Sequence, residues 1–182
     1  MSGRPPGGGP LPQAPAPPGV EVRPARHGDR RQIIGLLATV AAEGRYIRME
    51  HVDRNRSRMV KEWARRSWTV DRANLVAVSD GRVVGNLGIT REAGPVSRHA
   101  ASLGMAVDPE WRGRGIGAAL LGEAFRWAGW AGVEKVFLTV YPHNDRAINL
   151  YRKFGFVEEG RLTGHSKKSY GYEDEIVMGR WL

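Results

Sequence analysis

The sequence contains no cysteine and no long apolar run, and each absence excludes a class of protein. Without cysteine, disulfide-stabilised folds, zinc–thiolate sites and catalysis by a thiol nucleophile are all excluded. No uninterrupted apolar segment reaches the ~18 residues of a membrane-spanning helix, so we expect neither a transmembrane protein nor a membrane partner. The composition, 41% hydrophobic and 26% charged over 182 residues, is typical of one soluble domain. Lack of cysteine fits a reducing compartment, and we expect a cytoplasmic location.

Acidic residues are too few to balance the basic ones. The 28 Lys and Arg against 19 Asp and Glu give a net charge of +9. A basic protein attracts polyanions such as nucleic acid, an anionic membrane surface or a phosphorylated cofactor. No helix-turn-helix, aromatic platform or RNA-binding motif accompanies the charge, so nucleic acid is not the expected partner. Most of the excess is arginine, which a GC-rich genome would explain equally well. Over residues 23–72 the basic excess could meet an acidic substrate, but a solvated helix face is the favoured interpretation.

Composition divides the chain into a tail and a domain. Residues 1–19 hold twelve Pro or Gly, which predicts a disordered tail, and they lack the apolar core of a secretory signal. Residues 20–182 alternate between apolar periodicity and turn signals in the order β-α-α-β-β-β-α-β-α-β-β. Asp29 is predicted to cap the first helix and Gly44 to end it, residues 45–53 are predicted to be irregular, and residues 54–67 are predicted to form the second helix. The helix after the glycine-rich stretch is predicted to have an apolar face of Leu120, Leu121, Phe125 and Ala128. The order of the elements indicates an α+β fold, a mixed sheet covered by helices in a sandwich.

The most informative segment, residues 107–117, places a strand, a glycine-rich turn and a helix in succession. Its glycines let backbone N–H groups approach a ligand, and the helix N-terminus that follows favours an anion. Arg112 and Arg114 add two positive charges that can flank a pyrophosphate. The same pattern also fits a glycine-rich connection with solvated arginines.

Two common nucleotide motifs fit this segment poorly. The Walker pattern is absent, because no Gly-Lys-Ser/Thr follows the glycines. Gly113-x-Gly115-x-x-Ala118 matches the loose dinucleotide fingerprint, but the turn does not come straight off the strand. The acidic residue that should end the next strand is also missing, since Glu134 precedes that strand. A nicotinamide-dependent enzyme is therefore disfavoured.

Arg112-x-x-Gly115-x-Gly117 resembles the acyl-CoA pyrophosphate loop of the GNAT superfamily of N-acetyltransferases. Residues 144–156, with the sequence NDRAINLYRKFGF, resemble the superfamily's Asn…Ala…Leu-Tyr…Lys…Gly-Phe helix. The two motifs stand in the right order, each on the right element, and the resemblance covers residues 20–182. It implies a mostly antiparallel mixed sheet flanked by about four helices. It also implies acetyl-CoA as the cosubstrate, without a metal ion.

The resemblance assigns roles residue by residue. In this family the strand before the loop splays from its neighbour, and the pantetheine arm fills the gap as an extra strand would. The residues implied to hold the cofactor are Met105, Ala106, Val107, Arg112, Gly113, Arg114, Gly115, Ile116 and Gly117. Asn144 would contact the cofactor arm and can also cap its helix.

The same resemblance implies that Tyr151 stands near the thioester sulfur as the general acid. A tyrosine with an ordinary pKa near 10 protonates a thiolate, whose thiol has a pKa near 8.5, only at a cost of roughly 2 kcal/mol. A hydrogen bond that strengthens as charge grows on sulfur is easier to support than complete protonation. Position alone also fits a core aromatic beside Ile148.

No general base stands out in the sequence. Ribosomal-protein alanine acetyltransferases place a Glu five residues before the motif asparagine, where this chain has Thr139. Other members place a Glu in the strand that leads to the loop, where Ser102 and Leu103 stand. The nearest titratable candidates are Glu50, Glu92 and His99. A surface or structural role suits each of them, and a water relay is an alternative.

A missing base favours a weakly basic acceptor, because a peptide α-amine with a pKa near 7.8 is about a tenth deprotonated at pH 7, whereas a lysine side chain is almost fully protonated. A free amino acid lies between the two. Arg98-His99, Gly104-Met105 and residues 171–175 are similar to bacterial members that acetylate free amino acids or similar small amines. We therefore expect transfer of an acetyl group from acetyl-CoA to a small primary amine by direct attack. The alternatives are a protein N-terminal or lysine acetyltransferase and a non-catalytic acyl-CoA-binding module. A homodimer, if one forms, would use the closing strands within residues 156–182.

Overall fold

The computed structural model describes Gly9 and residues 14–51 and 67–182. Seven strands form one sheet: β1 (Glu21–Pro24), β2 (Arg72–Ser79), β3 (Arg82–Arg91), β4 (Ala100–Val107), β5 (Lys135–Val140), β6 (Val157–Lys168) and β7 (Gly171–Trp181). Their order in the sheet is β1-β2-β3-β4-β5-β7-β6. Only β4 and β5 pair in parallel, so the predicted mixed, mostly antiparallel sheet is confirmed.

Three α-helices lie in the described part of the chain: α1 (Arg30–Ala42), α2 (Ile116–Ala131) and α3 (Asp145–Lys153). Two short 3-10 turns, His27–Asp29 and Pro109–Trp111, precede α1 and the glycine-rich loop. The helix predicted over residues 54–67 falls outside the described ranges except for its last residue. Residues 45–51 have no regular structure, as the sequence predicts.

The structure contradicts the prediction for the N-terminus of α1 and confirms the prediction for its C-terminus. Asp29 precedes the helix, but its carboxylate accepts from Arg26 N at 2.6 Å and pairs with the Arg23 guanidinium at 2.7 Å. The predicted capping of α1 by the Asp29 side chain is therefore wrong, because Arg23 on β1 and the preceding turn take both oxygens. Gly44 ends the helix as predicted, with a φ of +67° and its N–H donating to Ala41 O at 2.9 Å.

The sheet is packed on both faces, and the alternation along β2 shows how. Leu75 and Ala77 belong to the main core under α2, whereas Val76 between them belongs to the smaller core under α1. The predicted apolar face of α2 is confirmed as fully buried: Leu120, Leu121, Phe125 and Ala128. The sandwich expected from the element order is thus formed, with the sheet between the two long helices.

The predicted division between residues 19 and 20 stays a prediction. Of the first nineteen residues the structure describes Gly9 and 14–19. Ala14 packs against the main core, and Pro17 O accepts from Val20 N at 3.1 Å. The end of this segment therefore runs along the folded domain.

β4 and β5 separate soon after they meet. Their parallel register covers three residue pairs, from Ala100↔Lys135 to Ser102↔Phe137. Beyond that point β4 continues to pair with β3, and β5 continues to pair with β7. The facing edges over residues 103–107 and 138–140 therefore have no ladder partner in the described chain. A gap opens inside an otherwise continuous sheet.

Candidate active site

A cavity of about 1220 Å³ occupies the gap between β4 and β5. Its walls are the two open strand edges, the loop over residues 111–117, the start of α3 and residues 46–49. The predicted cofactor residues that line it are Met105, Ala106, Val107, Arg112, Gly113, Gly115, Ile116, Gly117 and Asn144. Tyr151 lines it as well. The structure thus brings together in one cavity nearly all of the residues that the sequence singled out.

The glycine-rich loop leads directly into α2. Gly113 and Gly115 have φ values of +79° and +85°, a left-handed backbone that side chains with a Cβ rarely adopt. Gly115 is the N-cap residue of α2, so the loop ends at the positive end of a 16-residue helix dipole. The free N–H groups of the first helical turn therefore lie beside the cavity, an arrangement that suits a phosphate group.

The two loop arginines are engaged with the protein. Arg112 Nη1 and Nη2 donate to the Glu43 carboxylate at 2.8 and 2.5 Å, and its Nε donates to Val107 O at 3.2 Å. The Arg114 guanidinium lies 4.9 Å from the centroid of the Trp111 ring, and Arg114 does not line the cavity. Arg112 therefore ties the loop to the end of α1, leaving its backbone rather than its guanidinium to meet a phosphate.

Asn144 and Tyr151 belong to the two ends of α3. Asn144 Oδ1 accepts from Ala147 N at 3.2 Å, which confirms the predicted helix cap. Tyr151 is buried against the Phe156 ring, with the two ring centroids 5.6 Å apart. Burial raises the pKa of Tyr151 to about 12. Its phenol is therefore a hydrogen-bond donor throughout the physiological range.

The three titratable candidates for a base lie in different places. Glu92 lines the cavity, whereas Glu50 and His99 do not. Glu50 accepts from the backbone and hydroxyl of Ser169 at 3.0 and 2.7 Å, so it braces a turn. The His99 ring stacks on Trp181 at the opposite end of β4, with a centroid distance of 5.8 Å.

Sequence reasoning missed an ion pair in the cavity wall, between the half-exposed Arg48 and the buried Glu175. Glu175 is 1% exposed, and its Oε2 accepts from Arg48 Nε at 3.0 Å and from Arg48 Nη2 at 2.5 Å. Ser166 Oγ donates to Glu175 Oε1 at 2.6 Å, and Arg48 Nη2 also donates to Thr139 Oγ1 at 2.9 Å. Although burial opposes ionisation, the hydrogen bonds from Arg48 and Ser166 lower the pKa of Glu175. The signal in the sequence that could have identified it is the position of Glu175, an acidic residue immediately before the apolar residues 176–178 of β7.

The comparisons with known proteins agree with this geometry. Residues 43–156 match the acetyltransferase (GNAT) family, and the chain belongs to that family. It is 37% identical over 107 residues to an L-amino acid N-acetyltransferase of Escherichia coli, a match that covers 58% of this chain. The match spans 66% of that relative, a little less than two thirds of its length.

Two solved structures extend the comparison. A ribosomal-protein-alanine N-acetyltransferase from Brucella melitensis superposes with a TM-score of 0.79 and is 27% identical, covering 89% of this chain and 99% of that one. A phosphinothricin acetyltransferase from Sinorhizobium meliloti, solved in complex with AcCoA, has a TM-score of 0.79. It is 23% identical and covers 90% and 89% of the two chains, so this second likeness concerns the fold.

None of the helices in residues 14–51 and 67–182 combines the length and the apolar character needed to cross a bilayer. Within the same residues, no three acidic or histidine side chains are arranged to hold a metal ion.

Proposed function

We propose that this chain transfers an acetyl group from acetyl-CoA to the primary amine of a small molecule such as an amino acid. The observation that carries the proposal is the gap between β4 and β5, which ends at the glycine-rich loop and contains Tyr151. Membership of the acetyltransferase family and the similarity to an amino acid N-acetyltransferase support it.

The residues present fit acetyl-CoA along the whole cavity. Alternate residues of β4 face its open edge, so Met105 and Val107 would offer backbone groups to the amides of the pantetheine arm, as in strand addition, whereas the Ala106 backbone faces β3. The Val107 carbonyl already accepts from Arg112 Nε, which leaves the Val107 N–H for the cofactor. The backbone of the loop and the first turn of α2 would hold the pyrophosphate. Acetyl-CoA supplies the acetyl group as a thioester, whose thiolate is a better leaving group than an alkoxide.

The chemistry needs an amine that attacks the carbonyl carbon and a donor at the departing sulfur. The new C–N bond forms as the C–S bond breaks, and the nitrogen loses one proton to water in the open cavity. Tyr151 would donate a hydrogen bond to the sulfur as negative charge grows there. Complete transfer from a phenol of pKa about 12 to a thiolate would cost roughly 5 kcal/mol, so the hydrogen bond is the useful contribution.

The acceptor class is tested by release of free thiol from acetyl-CoA in the presence of a panel of amines. The panel contains amino acids, polyamines, aminoglycosides and short peptides. We expect release with amino acids, above the rate with acetyl-CoA alone. Release only with peptides would favour the alternative, a protein N-terminal acetyltransferase, which the likeness to the Brucella melitensis structure supports. The cytoplasmic location and a homodimer through the closing strands remain predictions.

A further inference from the structure

Resting on the proposed function, we infer that Arg48 and Tyr141 form a subsite for a carboxylate group of the acceptor. The buried Glu175 positions Arg48 for this role through their ion pair. The acceptor is then an amine that also carries a carboxylate, as an amino acid does. Both side chains of the subsite line the cavity between β4 and β5.

One side of the Arg48 guanidinium is hydrogen-bonded to the protein, and the other side is exposed. Its Nε and Nη2 donate to Glu175, and Nη2 also donates to Thr139. Its Nη1 has no partner among the described residues, and its side chain is 54% exposed at the cavity wall. Because Nη2 already donates to both Glu175 and Thr139, Nη1 is the nitrogen left for a ligand, and it can donate a charge-assisted hydrogen bond to one oxygen of a carboxylate. The unpaired part of Arg48 is therefore suited to an anionic group of a bound molecule.

Glu175 is a positioning residue in this arrangement rather than a base. Its Oε2 accepts both bonds from Arg48, and its Oε1 accepts from Ser166, so neither oxygen is left without a donor. Its side chain is only 2% exposed, which keeps it from direct contact with a substrate ammonium group. A buried, ionised carboxylate fixes the long arginine side chain in one orientation, so less rotamer freedom is lost when a ligand binds.

Tyr141 supplies the second donor. It is 3% exposed, it lines the cavity, and its Oη is buried without a hydrogen-bond partner in the described residues. Ser166 lies beside it; the Ser166 hydroxyl donates its own proton to Glu175 and could still accept one from Tyr141, but the two oxygens lie outside hydrogen-bond geometry. A buried hydroxyl without a partner is costly, and an oxygen of a bound acceptor would satisfy it.

The position of the Tyr141 ring is well defined. The ring stacks on His143 with centroids 5.6 Å apart and planes 10° apart, and Lys168 Nζ lies 5.3 Å from its centroid. Tyr141 directly follows β5, and both Tyr141 and Arg48 line the same cavity.

The test compares amino acids with their primary amides, which keep the amine and the side chain but lack the carboxylate. Binding to the protein saturated with CoA is measured by calorimetry for the native chain and for Arg48→Gln, Tyr141→Phe and Glu175→Gln. We expect at least one amino acid to bind about tenfold more tightly than its amide. Arg48→Gln should remove this preference, and Tyr141→Phe should reduce it severalfold.

Glu175→Gln should weaken the preference and raise KM for the amino acid much more than it lowers kcat, because it loosens Arg48. A purely structural role would lower the melting temperature and affect amino acid and amide alike. Arg126→Gln is the control, since this exposed arginine pairs with Glu123 on α2 outside the cavity. It should keep the native preference, and all four variants should bind acetyl-CoA normally.

Three results would overturn the inference: equal binding of amino acids and amides, a preference that survives Arg48→Gln, or no binding of any amino acid. Failure of the proposed function looks different. Thiol release with amines that lack a carboxylate would support acetyl transfer and refute the subsite. Selective binding of amino acids without any thiol release would support the subsite and refute acetyl transfer.

Discussion

Tyr151 combines two properties that its position alone does not distinguish, since it is both a core aromatic and part of the cavity wall. Its ring packs on Phe156, and burial raises the pKa of its phenol to about 12. A phenol that stays protonated can donate to a departing thiolate at any pH at which the acceptor amine is reactive. The structural role and the catalytic role are therefore compatible in one side chain.

Replacement of this tyrosine by phenylalanine removes the donor and keeps the ring. We expect Tyr151→Phe to lower kcat by about 10²-fold, the lower end of what a positioned acid contributes, with acetyl-CoA affinity nearly unchanged. Steady-state kinetics and titration with acetyl-CoA measure the two quantities. Tyr172→Phe is the matched control, because Tyr172 is 71% exposed and lies outside the cavity. Equal turnover in Tyr151→Phe and the native chain would refute the acid role.

The expected pH dependence of kcat follows from the raised pKa of Tyr151. A raised pKa keeps the phenol protonated through its ordinary pKa near 10, so deprotonation of Tyr151 should not lower kcat up to about that pH. The rise of the rate with pH should instead follow deprotonation of the acceptor amine. Profiles of kcat for the native chain and Tyr151→Phe should therefore have the same shape. An alkaline decline that disappears in the variant would contradict this assignment.

The sequence identified many of the residues that line the cavity, but it did not identify the ion pair between Arg48 and Glu175. Tyr151 and Asn144 were located by a local motif, because positions seven residues apart, about two helical turns, lie on one side of a helix. Arg48 and Glu175 are 127 residues apart in the chain, and no local pattern connects them. Arg112 was identified correctly as a loop residue, but its guanidinium pairs with Glu43, 69 residues earlier in the chain.

At the scale of elements, the loop and α2 act as one unit. The left-handed backbone at Gly113 and Gly115 turns the chain from β4 into the helix, and the helix N-terminus then faces the cavity. The sequence predicted this unit well, because glycine spacing and apolar periodicity are local signals. It did not predict that Asp29 pairs with Arg23 instead of capping α1, because that contact comes from β1.

A carboxylate placed on the loop tests this unit. We expect Gly115→Glu to weaken acetyl-CoA binding by at least tenfold, through strain at a φ of +85° and repulsion of the pyrophosphate. Calorimetric titration measures the affinity. Gly132→Glu is the control, since Gly132 has a φ of +69° at the other end of α2, away from the cavity. Unchanged affinity in Gly115→Glu would reject the loop as the pyrophosphate site.

The cap of α3 gives a prediction about stability. Asn144→Ala removes the acceptor for Ala147 N, and we expect the free energy of unfolding to fall by about 1 kcal/mol. Chemical denaturation measures it. If Asn144 also contacts the cofactor arm, acetyl-CoA affinity should fall too, whereas Asn144→Ser should restore the cap but not that contact. No loss of stability in Asn144→Ala would contradict the capping role.

At the scale of the whole molecule, the sheet is a continuous scaffold with one opening. Where β4 and β5 separate, β4 stays paired with β3 and β5 stays paired with β7. The gap therefore forms without breaking the other strand pairs of the sheet. The element order and the mixed sheet could be predicted from apolar patterns and from the family resemblance. The extent of the gap could not, because it depends on where a three-pair parallel ladder ends.

The central claim is that this gap holds acetyl-CoA while an amine accepts its acetyl group. The most direct measurement supplies acetyl-CoA labelled in the acetyl carbon, together with an amino acid, and follows both the label and the free thiol. We expect one labelled N-acetyl product for each thiol released, with both rates reduced at least tenfold in Gly115→Glu when acetyl-CoA is well below saturation. Thiol release without label on the amine, or bound acetyl-CoA with no transfer to any acceptor in the panel, would contradict it.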